Sequence, residues 1–183
     1  MKTYLRSLIS ILFVISLSSL SVNAQDKEDI ILSKVEDSKM YKTIELAQMD
    51  RNLSTFVNLV ALSGLETSMY MTDDHTLFIP TNEAFYDMTI EEFANLTNPK
   101  NRVELVKFIK YHVLPNKRMA SEFETRQVIS TEEDEEISVS ADDNLVYIGG
   151  AQVIKSDIEA SNGIVHIVNA VIKPTVSVIA GGE

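Results

Sequence analysis

The segment GIVHIVNAVI, residues Gly163 to Ile172, constrains this chain more than any other stretch. It opens at an Asn162-Gly163 turn signal and stops before Pro174. Ile164, His166 and Val168 share one face, with Val165 and Ile167 on the other. A strand that is apolar on both faces is buried on both. His166, its one titratable member, is then enclosed, and an enclosed imidazole needs hydrogen-bond partners. A neutral ring can meet that need, because it carries one donor and one acceptor. Catalysis would require a nucleophile or carboxylate beside it, and no such partner motif accompanies it. His166 therefore reads as a polar peg in a packed strand.

The rest of the chain divides into a helical first half and a strand-rich second half, which predicts an α+β domain. Phe56, Val57, Leu59, Val60, Ala61 and Leu62 make an almost wholly apolar core helix, with Ser54 as its cap and Gly64 as a left-handed stop. Thr76 to Ile79 reads as a short buried strand ended by Pro80. Thr81 is placed to cap a helix in which Ala84, Phe85 and Met88 share a face. Thr89 with Glu92 has the spacing of a capping box, flanked by a Met88–Phe93 staple. Asn98-Pro99 opens a third helix, whose apolar face is read from Val103, Val106 and Ile109 with Leu105 and Phe108 beside them. Strands are expected at 127–129, 136–141, 145–148, 151–158 and 163–172. The Asp142-Asp143-Asn144, Gly149-Gly150 and Asn162-Gly163 clusters serve as turns.

Residues 1–24 have the form of a secretory signal: Lys2 and Arg6, an apolar run from Leu8 to Leu20, and a small-residue site ending at Ala24. The expected product is exported, secreted or retained in a periplasm or cell envelope, without direct membrane insertion after cleavage. The 16 basic residues fall to 14 on losing Lys2 and Arg6, against 27 acidic ones, giving 14 − 27 = −13. Such a balance excludes nucleic acid as a partner and docking on anionic lipid through a basic patch. With no cysteine, disulfides, thiolate catalysis, Cys-based metal sites and a lipidated cysteine are all excluded.

Three ordered blocks carry a resemblance: TLFIPTNEAF (Thr76 to Phe85), YHVLP (Tyr111 to Pro115) and NGIVHIVNAVIKP (Asn162 to Pro174). They resemble the first box, the Tyr-His motif and the second box of the fasciclin domain, and the flanking segments agree from about Thr43 onward. The resemblance implies a wedge or sandwich of mostly antiparallel strands with N-terminal and surrounding helices. The expected layout is an extension at 25–42, the domain at 43–175 and a tail at 176–183. It also implies an extracellular, non-catalytic adhesion or interaction module, present here as one copy. A single copy gains no avidity within its own chain. From the family motif, Tyr111, His112, Val113 and Leu114 are expected to contact a partner or to shape the contact. Thr81, Asn82 and His166 are expected to form internal polar support, with His112 and the Thr81-Asn82 corner in one network.

Other residues are weighed against plainer roles. His75 beside Asp73 and Asp74 could ligate a metal, but a solvated loop before the strand is the reading adopted, and neither a metal nor a cofactor is expected. The acidic run Glu132 to Glu136 lacks the ligand spacing of a calcium loop and is read as charged surface. Asn52 and Asn95 head glycosylation sequons whose use depends on the host. Met69, Tyr70 and Met71 are either a contact surface or core filling. No nucleophile elbow, zinc helix or phosphate loop is present. The function expected is binding to a protein or glycan at a cell surface; the alternative is a small-ligand or polysaccharide-binding accessory protein in nutrient capture. The sequence leaves the oligomeric state open.

Overall fold

A computed structural model describes residues 32, 35–131, 136–142 and 145–173. The expected leader, the acidic positions 132–135, the Asp143-Asn144 turn and the tail from 176 lie outside the described residues. Helices α1 (Thr43–Met49), α2 (Ser54–Ser63) and α3 (Glu66–Met71) lead into β1 (His75–Pro80). A 3₁₀ helix (Asn82–Asp87), α4 (Ile90–Leu96) and α5 (Arg102–Lys110) follow. The chain then runs through β2 (Val113–Leu114), β3 (Gln127–Ser130), β4 (Glu136–Asp142), β5 (Leu145–Ile148), β6 (Ala151–Ala160) and β7 (Gly163–Val168). All seven strands form one sheet in the order β2-β1-β7-β6-β5-β4-β3. Among the described strands only the β1–β7 pairing is parallel. This is the α+β, mostly antiparallel architecture that the sequence predicts.

The β1–β7 pair forms a wall between two cores, and every residue of both strands is buried. Leu77 lies beside Val165 and Ile79 beside Ile167. These four face the helices and join Ile44, Phe56, Leu59, Leu105 and Ile109 in one apolar cluster. The alternate face carries Phe78 and Val168 into a second cluster with Phe123, Ile137, Val139 and Ile148. Strand alternation alone sends successive side chains to opposite cores. The apolar run on both faces of β7 is thus the consequence of having a core on each side.

Local signals mostly act as expected. Thr89 and Glu92 form the capping box of α4, Asn98 accepts from the Lys100 amide ahead of α5, and Gly64 ends α2 at φ 77°. Gly149 and Gly150 turn β5 into β6 at positive φ.

Four expectations need correction. Thr81 flanks a 3₁₀ helix and makes no side-chain cap. Ser54 is the first residue of α2 instead of its cap; the cap comes from a distant residue, Asn82, whose Oδ1 accepts from the Thr55 amide at 2.8 Å. In α5 the buried residues are Leu105 and Ile109, while Val103 is 69% exposed, because the helix presents the 105/109 stripe to the core. Finally, β7 ends at Val168 instead of 172. There the Asn169 side chain accepts from the Gln152 amide, and Ile172 turns in to the second core.

Gly163 is where β7 meets the start of β1 most closely: a Cβ there would lie 2.3 Å from the His75 carbonyl oxygen and 3.0 Å from Thr43 Cγ2. Backbone cannot yield as a flexible side chain can, so Gly163→Ala should overpack the junction. We expect urea denaturation to show a loss of about 1–3 kcal/mol in unfolding free energy. A loss within the experimental error would mean the strands can part there at no cost.

Candidate functional site

All three histidines are buried, at 1% exposure or less. His166 stacks on Phe78 at a centroid distance of 5.3 Å and meets the edge of Phe123 at 6.0 Å. Its Nδ1 accepts from the Asp157 amide at 3.2 Å, and its Nε2 lies 2.8 Å from the Arg118 carbonyl oxygen. An amide can only donate and a carbonyl can only accept, so these partners select the neutral ring protonated at Nε2. Asp157 has φ 61° in a stretch of β6 with irregular register. Its side chain accepts from the Ala120 amide at 2.7 Å. The irregular register thus lets one residue tie both the imidazole and the segment ahead of β3. Burial lowers the His166 pKa, against the opposing pull of the Arg118 carbonyl and the Asp157 charge.

His112 is the mirror case. Its Nδ1 lies 2.8 Å from the Phe108 carbonyl oxygen, and its Nε2 accepts from the Ile172 amide at 3.2 Å. These partners select the Nδ1-protonated tautomer. Phe56 and Phe108 pack against the ring, and burial pushes its pKa down to about 4. His112 therefore joins the end of α5 to the segment after β7. Both nitrogens of both rings are committed to backbone groups.

The expected network does not form as drawn. With their nitrogens so committed, neither His112 nor His166 bonds to Asn82. Asn82 instead clamps the start of α2, donating to the Arg51 carbonyl at 2.8 Å while accepting from the Thr55 amide. Thr81 acts through its backbone, its amide donating to the Val168 carbonyl at 3.1 Å. His112, His166 and the Thr81-Asn82 corner thus make their bonds in separate places, those of Asn82 at or near the surface.

The YHVLP segment is also mostly interior: His112, Val113 and Leu114 are buried, and Tyr111 is half-buried. Burial leaves those three little side-chain surface to offer a partner. Leu114 also lines a groove of about 320 Å³, with Pro115, Asn116 and Arg118 on its side and Gln127, Val128, Ile129 and Ser130 on the other. Its banks are β2 with its following turn, and β3. These are the two outermost strands of the sheet, which therefore curls until its edges face one another.

His75 is not in a solvated loop. It opens β1 as a buried residue, because the parallel register draws it beside Gly163. Its Nε2 lies 2.8 Å from Thr43 Oγ1, while Nδ1 has no hydrogen-bond partner. The ring lines a cavity of about 50 Å³ with Met69, Thr72 and Ile109. Burial lowers its pKa, with the Thr72 carbonyl and Asp73 acting against that. Asp73 and Asp74 face Lys42 and Lys117, at 3.8 and 2.7 Å. Among the described residues no group of three His, Asp or Glu could hold a metal ion. Met69 belongs to the helical core and Tyr70 packs against it, whereas Met71 is exposed.

Asn162 and Thr76 matter more than their sequence context suggests. Asn162 is fully buried, accepts from the Thr43 amide and donates to the Met69 and Thr72 carbonyls. Thr76 Oγ1 donates to the Asn116 carbonyl and accepts from the Arg118 amide, fixing one bank of the groove. The sequence marks Asn162 only as a turn residue. Its three partners lie far away in the chain, so no local signal exposes them.

Comparison with known proteins agrees with this geometry. The fasciclin domain model matches residues 51–174. The Synechocystis sp. protein sll1483 is 32% identical over 81% of this chain and 82% of its own length. Human periostin is 30% identical over 71% of this chain but only 16% of its own length, and pig transforming growth factor-beta-induced protein ig-h3 is 28% identical over 74% and 20%. This chain thus spans a small part of the animal relatives. A FAS1 domain pair from the insect cell adhesion molecule fasciclin I superposes with a TM-score of 0.56 at 13% identity, covering 74% of this chain and 51% of that one. No helix among the described residues is long and apolar enough to cross a membrane.

The buried imidazoles have a pH signature. His112 is neutral when folded, with a pKa of about 4, against about 6.5 when unfolded. Acid therefore favours the unfolded chain. Its contribution is complete above the unfolded value and falls by about 1.4 kcal/mol per pH unit between the two. We expect the stability gap between the wild type and His112→Gln to narrow as pH falls from about 7.5 to 5. The carboxylates, common to both proteins, cancel in the difference. A constant or widening gap in urea melts would show that the ring is charged or exposed in the fold.

Proposed function

The chain belongs to the fasciclin-domain family, and we propose that it is an extracellular interaction module that docks a protein partner in the groove between β2 and β3. Members of this family are generally adhesion or extracellular interaction modules. One observation carries the assignment of the face: the Tyr-His segment supplies a bank of a surface groove of about 320 Å³, although its own side chains are mostly buried. The buried motif sets the groove's shape and the neighbouring residues present it. The described residues lining the groove are apolar or carry amide, hydroxyl and guanidinium groups. The leader-like N terminus supports export, secreted or to a periplasm or envelope. The strongly acidic composition suits a soluble exported domain.

The nutrient-capture alternative asks for a concave pocket with convergent polar groups, and the groove lies at the lower limit of ligand-pocket volumes of about 300–1,000 Å³. One comparison tests both readings. Protein lacking residues 1–24 is applied to an array of surface glycans and, separately, to an array of purified extracellular proteins from the source organism. The expected result is a protein ligand and silent glycans. Ser130→Arg, on the exposed bank, should weaken that ligand by about tenfold or more with an unchanged melting temperature. Glycan binding alone would overturn the proposal, and so would a protein ligand indifferent to Ser130→Arg.

A further inference from the structure

The groove has a directional chemistry that identifies the form of its occupant. In β4 the Ser138 carbonyl accepts from the Gly149 amide, on the β5 side. The Ala141 carbonyl accepts from the Thr125 hydroxyl, on the β3 side. Within an antiparallel strand the amide and carbonyl of one residue point the same way, and successive residues alternate. Ser138 therefore directs its main chain away from β3. Its partner across the ladder is Val128, so this is a non-hydrogen-bonded pair. Val128, and Ser130 two residues on, direct their amides and carbonyls off the last strand of the sheet into the groove. Main-chain groups on such an edge are a template for pairing with another strand.

We propose that the groove takes an extended segment of a partner protein, which adds to β3 as a further strand and sets an acidic side chain beside Arg118 and Arg126. This rests on reading the groove as the docking face and specifies how that face binds. The shape favours a lone strand over a second copy of this chain. The groove is walled on its far side by Leu114, Pro115 and Asn116, so another molecule's β3 would bring its own β4 into that wall. Pro115 also has no amide to offer, which leaves β3 as the pairing bank. Side-chain contact is available at Val128, which is 55% exposed. Charge sets the polarity. Arg118 lines the groove, and exposed Arg126 stands immediately before β3. These cations stand out on a chain with a formal charge of −11. Of the acids near these elements, Glu122 turns its carboxylate to the Met119 amide, while exposed Glu124 precedes Arg126 and exposed Glu136 lies across the ladder from Ser130.

The test uses a displayed library of random ten-residue peptides panned on the folded protein, followed by synthesis of an enriched peptide. Val128→Pro removes the outward amide without touching the β4 ladder, a placement that edge strands tolerate. Val128→Ala keeps the amide and removes the side chain. We expect enriched peptides to share a proline-free β-branched or aromatic run with an Asp or Glu. The chosen peptide should bind the wild type and bind Val128→Ala with at most a modest loss, but lose about tenfold or more on Val128→Pro. Reversing both arginines, Arg118→Glu with Arg126→Glu, should weaken it to a similar degree. Amide hydrogen exchange on the wild type gives a readout that needs no variant: Val128 and Ser130 should become protected when the peptide binds. No enrichment, equal binding to Val128→Pro, or a bound peptide that leaves both amides unprotected would overturn the proposal. If an extracellular protein is still captured through a site sensitive to Ser130→Arg, the docking face stands and strand addition alone has failed.

Discussion

Everything in this molecule depends on one parallel strand pair. The pair has no short turn to hold it, since parallel strands need a long connection. In this chain α4, α5 and five further strands intervene between β1 and β7. Its hydrogen bonds place two apolar segments side by side, and alternation along each strand then feeds two cores at once. The helices condense on one face and the curled sheet closes on the other. Gly163 allows the approach at one end, and the Thr81 amide bonds the Val168 carbonyl at the other.

Burying polar groups on such a wall costs about 1–3 kcal/mol for each one left unsatisfied. The chain answers with neutral imidazoles, each tying a backbone group of a regular element to one of an irregular segment. His166 holds Arg118 and Asp157, and His112 holds Phe108 and Ile172. Through Asp157 the His166 contact also reaches Ala120. His166 therefore holds the turn that forms one bank of the groove, although the ring does not reach solvent. A histidine in a family motif can thus be important to binding without touching what is bound.

The parts of the fold that could be read from sequence are those whose cause is local. Gly64, the Thr89–Glu92 box, the Gly149-Gly150 turn and the two-faced run of β7 each act within a few residues, and each is where its pattern puts it. What could not be read depends on partners distant in the chain. Asn82 looks like the start of its own helix but caps α2, and His75 looks like loop until β7 comes to lie against it. The α5 face is ambiguous in sequence because Val103 fits the helical spacing equally well, and only packing decides which stripe is covered. The groove was invisible for the same reason, since its banks are β2 and β3 at opposite ends of the sheet. Residues of the Tyr-His motif were legible as important, but whether they touch a partner or shape what does is a question of burial.

The fold requires both motif histidines to be neutral hydrogen-bonded pegs, each locked in one tautomer. Side-chain nitrogen NMR measures this directly. We expect His166 to carry its proton on Nε2 and His112 on Nδ1, with His112 unchanged between about pH 7.5 and 5.5 and His166 titrating only below the ordinary histidine value of about 6.5. Either ring titrating near its ordinary value, or averaging between tautomers, would contradict the structure at its centre.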